Sequence, residues 1–182
     1  DNAEARRRRR RLPESRADAV NKLDRDHDVN DAEVAATAGE EAFALLPQDH
    51  PIYLVSESLG TGVAAHLAKF NPQAIAGMVM FVPYDSLPSL AQSKMPVLLP
   101  YFFLRDRFQS ADWLKDYRGP VKMILAERDE VIPPKFGQRL FDSYPGPKQL
   151  QIIPGATHNE VSEQSPQWWR NAFGALEDLK QK

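Results

Sequence analysis

Three residues of this 182-residue chain have the types and the order for acyl-transfer chemistry: Ser58, Asp129 and His158. A serine hydroxyl is too weak an acid to attack a carbonyl unaided. A histidine can take its proton as general base and return it to the leaving group as general acid. A carboxylate fixes the imidazole tautomer and stabilises the imidazolium that forms. The serine lies in the run Ile52-Tyr53-Leu54-Val55-Ser56-Glu57-Ser58-Leu59-Gly60-Thr61-Gly62. A short apolar run bounded by turn residues suits a buried parallel strand, and the small residues after it read as helix. A serine on a sharp strand-to-helix turn is a nucleophile elbow. The turn strains the serine backbone, and the residues two before and two after it, Ser56 and Gly60, are small. The Leu59 N–H at the helix start points toward a developing oxyanion.

Each of these residues has a plainer reading. Ser58 could be a small turn residue. Asp129 could cap the helix that follows it. Its rivals for the acid are Glu130 and Asp85, the latter just past the preceding strand. The other histidines fit the role less well. His27 lies in a charged N-terminal stretch, His50 at the wrong end of the elbow strand, and His66 eight residues into the elbow helix. None of the four makes a metal-ligand spacing with neighbouring acids, so no metal is expected.

The elements that must position these groups alternate. A helix is expected over 31–46, with Asn30 as N-cap and Val34, Ala38, Ala42, Leu45 and Leu46 as its apolar stripe. The elbow strand follows at 52–55, and the elbow helix runs to about Phe70. Strands are expected at Ala76–Val82, Val121–Ala126 and Gln149–Ile153. Helices are expected over roughly 135–143 and from Pro166 to Leu179. Residues 84–118 read as irregular, because Pro88, Pro96 and Pro100 break any long helix. Strands alternating with helices build a parallel sheet flanked by helices, an α/β architecture. Asp129 and His158 then fall just beyond strand carboxyl ends, where sites of open α/β sheets assemble.

Composition bounds the rest. The length suffices for one domain with a real core. The absence of cysteine excludes disulfides, a thiol nucleophile and cysteine-ligated metal. No apolar run is long enough for a membrane helix, and no signal peptide is read at the start, which leaves the compartment unknown with the cytoplasm slightly favoured. The net charge of −2 implies no strong electrostatic partner. Residues 1–29 are charged, include the run Arg6–Arg11 and read as a disordered tail, with the domain over 30–182. Acids nearly balance those arginines and no aromatics interleave them, so no nucleic acid partner is expected.

The residues support a resemblance. From position 51 onward the chain resembles the C-terminal half of an α/β-hydrolase, and is similar to compact esterases, lipases and serine-aminopeptidase-like proteins. The resemblance is carried by the stretches 55–62, 82–86, 126–133 and 155–159, and by the chain order serine, aspartate, histidine. It implies acyl transfer to water by a Ser58–Asp129–His158 triad on a small acyl ester, with Leu59 in the oxyanion hole and no cofactor. Residues 84–110 would stand where such enzymes carry a lid, and Tyr101, Phe102 and Phe103, with Leu104, would line an acyl pocket or fill core. Peptidase and thioesterase chemistry stay open, as does a non-catalytic module that binds a partner. Two departures stand out. Ser56 replaces the usual first glycine of the elbow, and no strand or His-Gly loop is read before residue 52. The fold is thus expected to lack the N-terminal strands. The elbow strand would be an exposed edge open to self-association, and a missing oxyanion donor would cost about 10²–10³ in turnover.

Overall fold

A computed structural model describes residues 31–47, 49–94 and 108–181. Its order is α1 (Asp31–Ala44), β1 (Ile52–Glu57), α2 (Gly60–Phe70), β2 (Ile75–Phe81), α3 (Leu87–Lys94), α4 (Ser110–Leu114), β3 (Val121–Ala126), α5 (Pro134–Ser143), β4 (Lys148–Ile153) and α6 (Pro166–Lys180). The four strands form one sheet in the order β1-β2-β3-β4, and every neighbouring pair is parallel. The expected α/β architecture is therefore present.

The residue pattern explains the layers. All six residues of β3 are buried, as a central strand covered on both faces requires. Along β2, Met78 and Met80 face one layer and Val79 and Phe81 the other, because side chains alternate across a strand. The first layer holds Phe43 of α1, Ala64, Ala65, Leu67 and Ala68 of α2, Leu114 of α4 and Leu140 of α5. The second is covered by α6 through Leu176, with Trp168, Trp169 and Phe173 partly buried. Fully burying one such large side chain stabilises the fold by about 1.5–3 kcal/mol. Ser165 caps α6 by accepting the Trp168 N–H, and Pro166 follows at the first helical position.

Three expectations need correction. Helix α1 buries Ala36 and Phe43 rather than the expected stripe; Ala38, Ala42, Leu45 and Leu46 are exposed, and the helix stops at Ala44. Gly39 accounts for the rotation. A Cβ there would lie 2.8 Å from Val63 Cγ1, so the glycine lets α1 sit close on α2. That contact selects positions 36, 39 and 43 as the inner face. Second, residues 84–118 are not wholly irregular, since they contain α3 and α4. Pro88 is tolerated because it sits in the first turn of α3, where its missing N–H has no helical partner to lose. Third, a Cβ on Gly60 would meet nothing within 4 Å among the described residues, so smallness is not needed there. The glycine that packing requires is Gly62, where a Cβ would lie 2.5 Å from Tyr84 Oη and 2.7 Å from the Phe108 ring.

Strand β1 pairs with β2 on one side, and among the described residues no strand pairs with its other side. Val55 is 51% exposed on this edge. The N-terminal 1–29 stretch and Asn30 lie outside the described residues.

Candidate active site

Ser58 follows β1 directly and takes a φ of 52°. A non-glycine residue in this left-handed region costs roughly 1–2 kcal/mol, and the surroundings hold it there. The Ser58 N–H donates to the Phe81 carbonyl at the end of β2, 3.0 Å away. The Ser58 carbonyl accepts from the Thr61 N–H at 3.0 Å and from Thr61 Oγ1 at 2.7 Å. A second non-glycine residue with positive φ sits beside it. Val82 has φ 44° and directly follows β2, with its N–H donating to Ile124 O. Strain at the carboxyl ends of two adjacent strands fits a functional site. Val82 opens the stretch 82–86 that carries the resemblance, but nothing in the sequence marked its backbone as strained.

Asp129 lies just after β3 and is buried. Its Oδ1 accepts the N–H groups of Val131 at 2.9 Å and Ile132 at 2.7 Å. Asp129 does not cap the helix that follows, which starts after Pro133 without a side-chain cap; it closes a turn instead, and that turn fixes its carboxylate. Its Oδ2 lies 2.8 Å from His158 Nδ1. A carboxylate only accepts, so the ring carries its proton on Nδ1. Nε2 is left as the acceptor, 3.0 Å from Ser58 Oγ.

The loop bearing His158 is itself held. Gly155, at φ 70°, makes the turn after β4, and its N–H donates to Glu127 Oε2 at 2.7 Å. The Glu160 carboxylate accepts from the N–H and hydroxyl of Thr157, and these bonds hold its pKa below the usual value. Neither glutamate was singled out from the sequence. A glutamate one strand end away and another three residues past a threonine are the signals that could have found them.

Leu59 opens α2, and its N–H donates to nothing among the described residues. Its side chain is 50% exposed beside the serine. Its carbonyl accepts from the Gly62 N–H and from Tyr84 Oη, 3.3 Å away. Tyr84 is fully buried, and burial pushes its phenol far above the ordinary range, so it stays a donor. Ser56 Oγ is buried and has no hydrogen-bond partner among the described residues.

The rivals are engaged elsewhere. Asp85 is paired with Arg139 through two hydrogen bonds at 2.9 and 3.0 Å, and Arg139 also donates to Ser89. The Glu130 side chain is exposed, and its carbonyl accepts from Lys94. His66 meets Glu40 at 2.8 Å and packs on Phe70 and Trp113, which is a packing role. His50 is exposed near Asp49. Among the described residues no cluster of histidine and acid could hold a metal. Tyr101, Phe102, Phe103 and Leu104, expected to line a pocket, lie outside the described residues. No described helix is long and apolar enough to cross a membrane.

Solved structures share this arrangement of sheet and helices. An α/β-hydrolase from a lagoon-sediment metagenome of Mar Chica, Morocco, superposes with a TM-score of 0.59 at 15% identity, covering 79% of this chain and 70% of that one. Acetyl xylan esterase 1 from Thermoanaerobacterium gives 0.56 at 18% identity over 81% of this chain and 51% of its own. Est1E from Butyrivibrio proteoclasticus gives 0.56 at 15% identity over 85% and 83%.

The chain has the α/β-hydrolase fold.

At these identities the likeness to solved structures speaks for the fold alone. Sequence relatives match part of the chain, and one of them carries the name of the same fold. An uncharacterised Mycobacterium tuberculosis protein is 31% identical over 104 residues, 57% of this chain and 36% of that protein. A protein of Acanthamoeba polyphaga mimivirus, named as a candidate α/β-hydrolase, is 29% identical over 115 residues, 60% of this chain and 40% of its own. The matches thus span about a third to two fifths of those relatives. No family model matches the chain. Within the hydrolase fold, the elbow, Asp129 and His158 all stand at strand carboxyl ends.

Proposed function

We propose that the chain is a serine hydrolase that cleaves a carboxylic ester through an acyl-enzyme. One observation carries this reading: a single imidazole bridges Ser58 Oγ at 3.0 Å and a buried carboxylate at 2.8 Å. In the proposed reaction His158 Nε2 takes the Ser58 proton as Oγ bonds to the acyl carbon. The carbonyl oxygen becomes an oxyanion and receives the Leu59 N–H. His158 then protonates the leaving alcohol as its bond to carbon breaks. Water, deprotonated by the same nitrogen, releases the acid and restores the serine. Asp129 keeps the imidazole in the required tautomer throughout. The substrate class is a small or medium acyl ester, and the reaction needs no cofactor.

The test is labelling and turnover. A fluorophosphonate probe should modify Ser58 in folded protein, and p-nitrophenyl acetate or butyrate should be hydrolysed. Failure of both, with a known serine hydrolase labelled in parallel, rejects the reading.

A second reading is favoured by the side of β1 on which no described strand pairs and by the exposure of Val55. A hydrolase-like module could add a strand from a second copy at this edge. That reading predicts self-association that survives Ser58→Ala and is lost on Val55→Lys, measured by sedimentation.

A further inference from the structure

The peptide group joining Ser58 to Leu59 is gripped at one end only. Its carbonyl accepts two hydrogen bonds, both from Thr61: the backbone N–H at 3.0 Å and the hydroxyl at 2.7 Å. Its N–H, on Leu59, has no partner among the described residues. A trans peptide is planar, so its C=O and N–H point in opposite directions. Whatever holds the Ser58 carbonyl therefore sets where the Leu59 N–H points. Thr61 is fully buried, so no solvent competes for its hydroxyl.

We propose that Thr61 is a positioning residue for the oxyanion-binding N–H of Leu59. This inference rests on the serine-hydrolase reading above. The hydroxyl acts in two ways. It opposes a flip of the Ser58–Leu59 peptide, which would turn the carbonyl toward the site and strand a buried hydroxyl without a partner. It also draws electron density to the carbonyl oxygen, and hydrogen bonds in such a chain strengthen one another. The N–H at the far end becomes a better donor to an oxyanion.

A threonine hydroxyl often bonds the carbonyl three or four residues back inside a helix. Here the accepting residue lies outside α2 and has φ 52°. The bond therefore reaches the strained elbow rather than the helix body. The neighbouring peptides are held by other groups. Phe81 O accepts the Ser58 N–H, and Tyr84 Oη with the Gly62 N–H holds the Leu59 carbonyl. Thr61 Oγ1 is the one side-chain donor, among the described residues, on the peptide that bears the free N–H.

The test compares Thr61→Ser, Thr61→Ala and Thr61→Val with the parent chain. The readouts are kcat and KM on p-nitrophenyl acetate and butyrate, the fluorophosphonate labelling rate of Ser58, and thermal unfolding. Loss of the hydroxyl in the Ala and Val variants should lower kcat about fivefold to tenfold and leave KM unchanged, because the oxyanion exists only in the transition state. Labelling should slow in parallel. Thr61→Ser, which keeps the hydroxyl, should stay within about twofold of the parent. The inference is overturned if Ala and Val match the parent in kcat, if Ser and Ala lose equally, or if the loss appears in KM. Should Thr61→Val fail to fold, the Ser and Ala pair decides alone, since both are smaller than threonine. A parent chain that neither labels nor turns over removes the serine-hydrolase reading and this inference together. An active parent that is indifferent to Thr61 removes this inference only.

Discussion

His158 Nε2 lies 3.0 Å from Ser58 Oγ, although 100 positions separate the two residues in the chain. The sheet closes that gap. Parallel strands β1 to β4 all end on one side, and the loops after β1, β3 and β4 meet there.

Replacing the serine separates chemistry from stability. Ser58→Ala should lower turnover by about 10⁴-fold or more and remove probe labelling, with little change in thermal midpoint. Ser58→Gly should be equally inactive yet more stable by about 0.5–1 kcal/mol, because glycine carries no penalty at φ 52°. For a chain of this size that is a rise of about 1–4 °C in midpoint, read by calorimetry or circular dichroism.

The two aspartates should behave oppositely. Asp129→Asn should cost about 10³–10⁴ in kcat by presenting the wrong group to His158 Nδ1. It should also destabilise the chain by about 1–2 kcal/mol, since the amide oxygen still accepts the Val131 and Ile132 N–H groups but without the charge that strengthens those bonds. Asp85→Asn should leave kcat near that of the parent and cost about 0.5–1 kcal/mol, because Arg139 is partly solvated. Turnover that depended on Asp85 and not Asp129 would reassign the acid.

Two glycines in the elbow make a paired control. Gly62→Ala should destabilise by about 1–3 kcal/mol, because its methyl would press on Tyr84 Oη and the Phe108 ring. Gly60→Ala, with nothing within 4 Å of the added Cβ among the described residues, should be neutral or stabilise α2 by about 0.4–1 kcal/mol. Chemical denaturation of both variants distinguishes them. Equal effects would contradict the packing described.

Lys122 gives a pH dependence with a definite sign. It lies in the central strand at 7% exposure, on the face covered by α6, with Nζ 2.8 Å from Gln149 Oε1. Burial lowers its pKa from 10.5. The folded state therefore binds this proton less tightly than the unfolded chain does. The penalty is full below the folded pKa and disappears as pH rises to 10.5, so this group's contribution to stability increases with pH across that window. Lys122→Met should unfold at a higher temperature than the parent at pH 7. The gap should narrow as pH approaches 10, measured by thermal melts in matched buffers.

Much of this was legible from short-range pattern. Strand β3 occupies the residues read for it, Val121–Ala126, because a six-residue run between turns, apolar except for Lys122, admits few alternatives. Pro166 marked the start of α6 for the local reason of its fixed φ, whereas the Ser165 cap came from the structure. Helix α1 was misread because its many alanines define no strong face, so contact with Val63 and Leu67 through Gly39 chose the buried side.

The residue order alone determined the alternation of strands and helices, and with it the chance that Ser58, Asp129 and His158 would meet at one end of a parallel sheet. These follow from periodicity and turn chemistry, which act over a few neighbouring residues. Tertiary structure decided which acid faces the imidazole, since Asp85 is claimed by Arg139, 54 positions away. It likewise decided that the indispensable small residue is Gly62, and that Thr61 holds the peptide beside the serine. Those outcomes depend on which side chains packing brings within about 3 Å of each other, and separation along the chain carries no record of that.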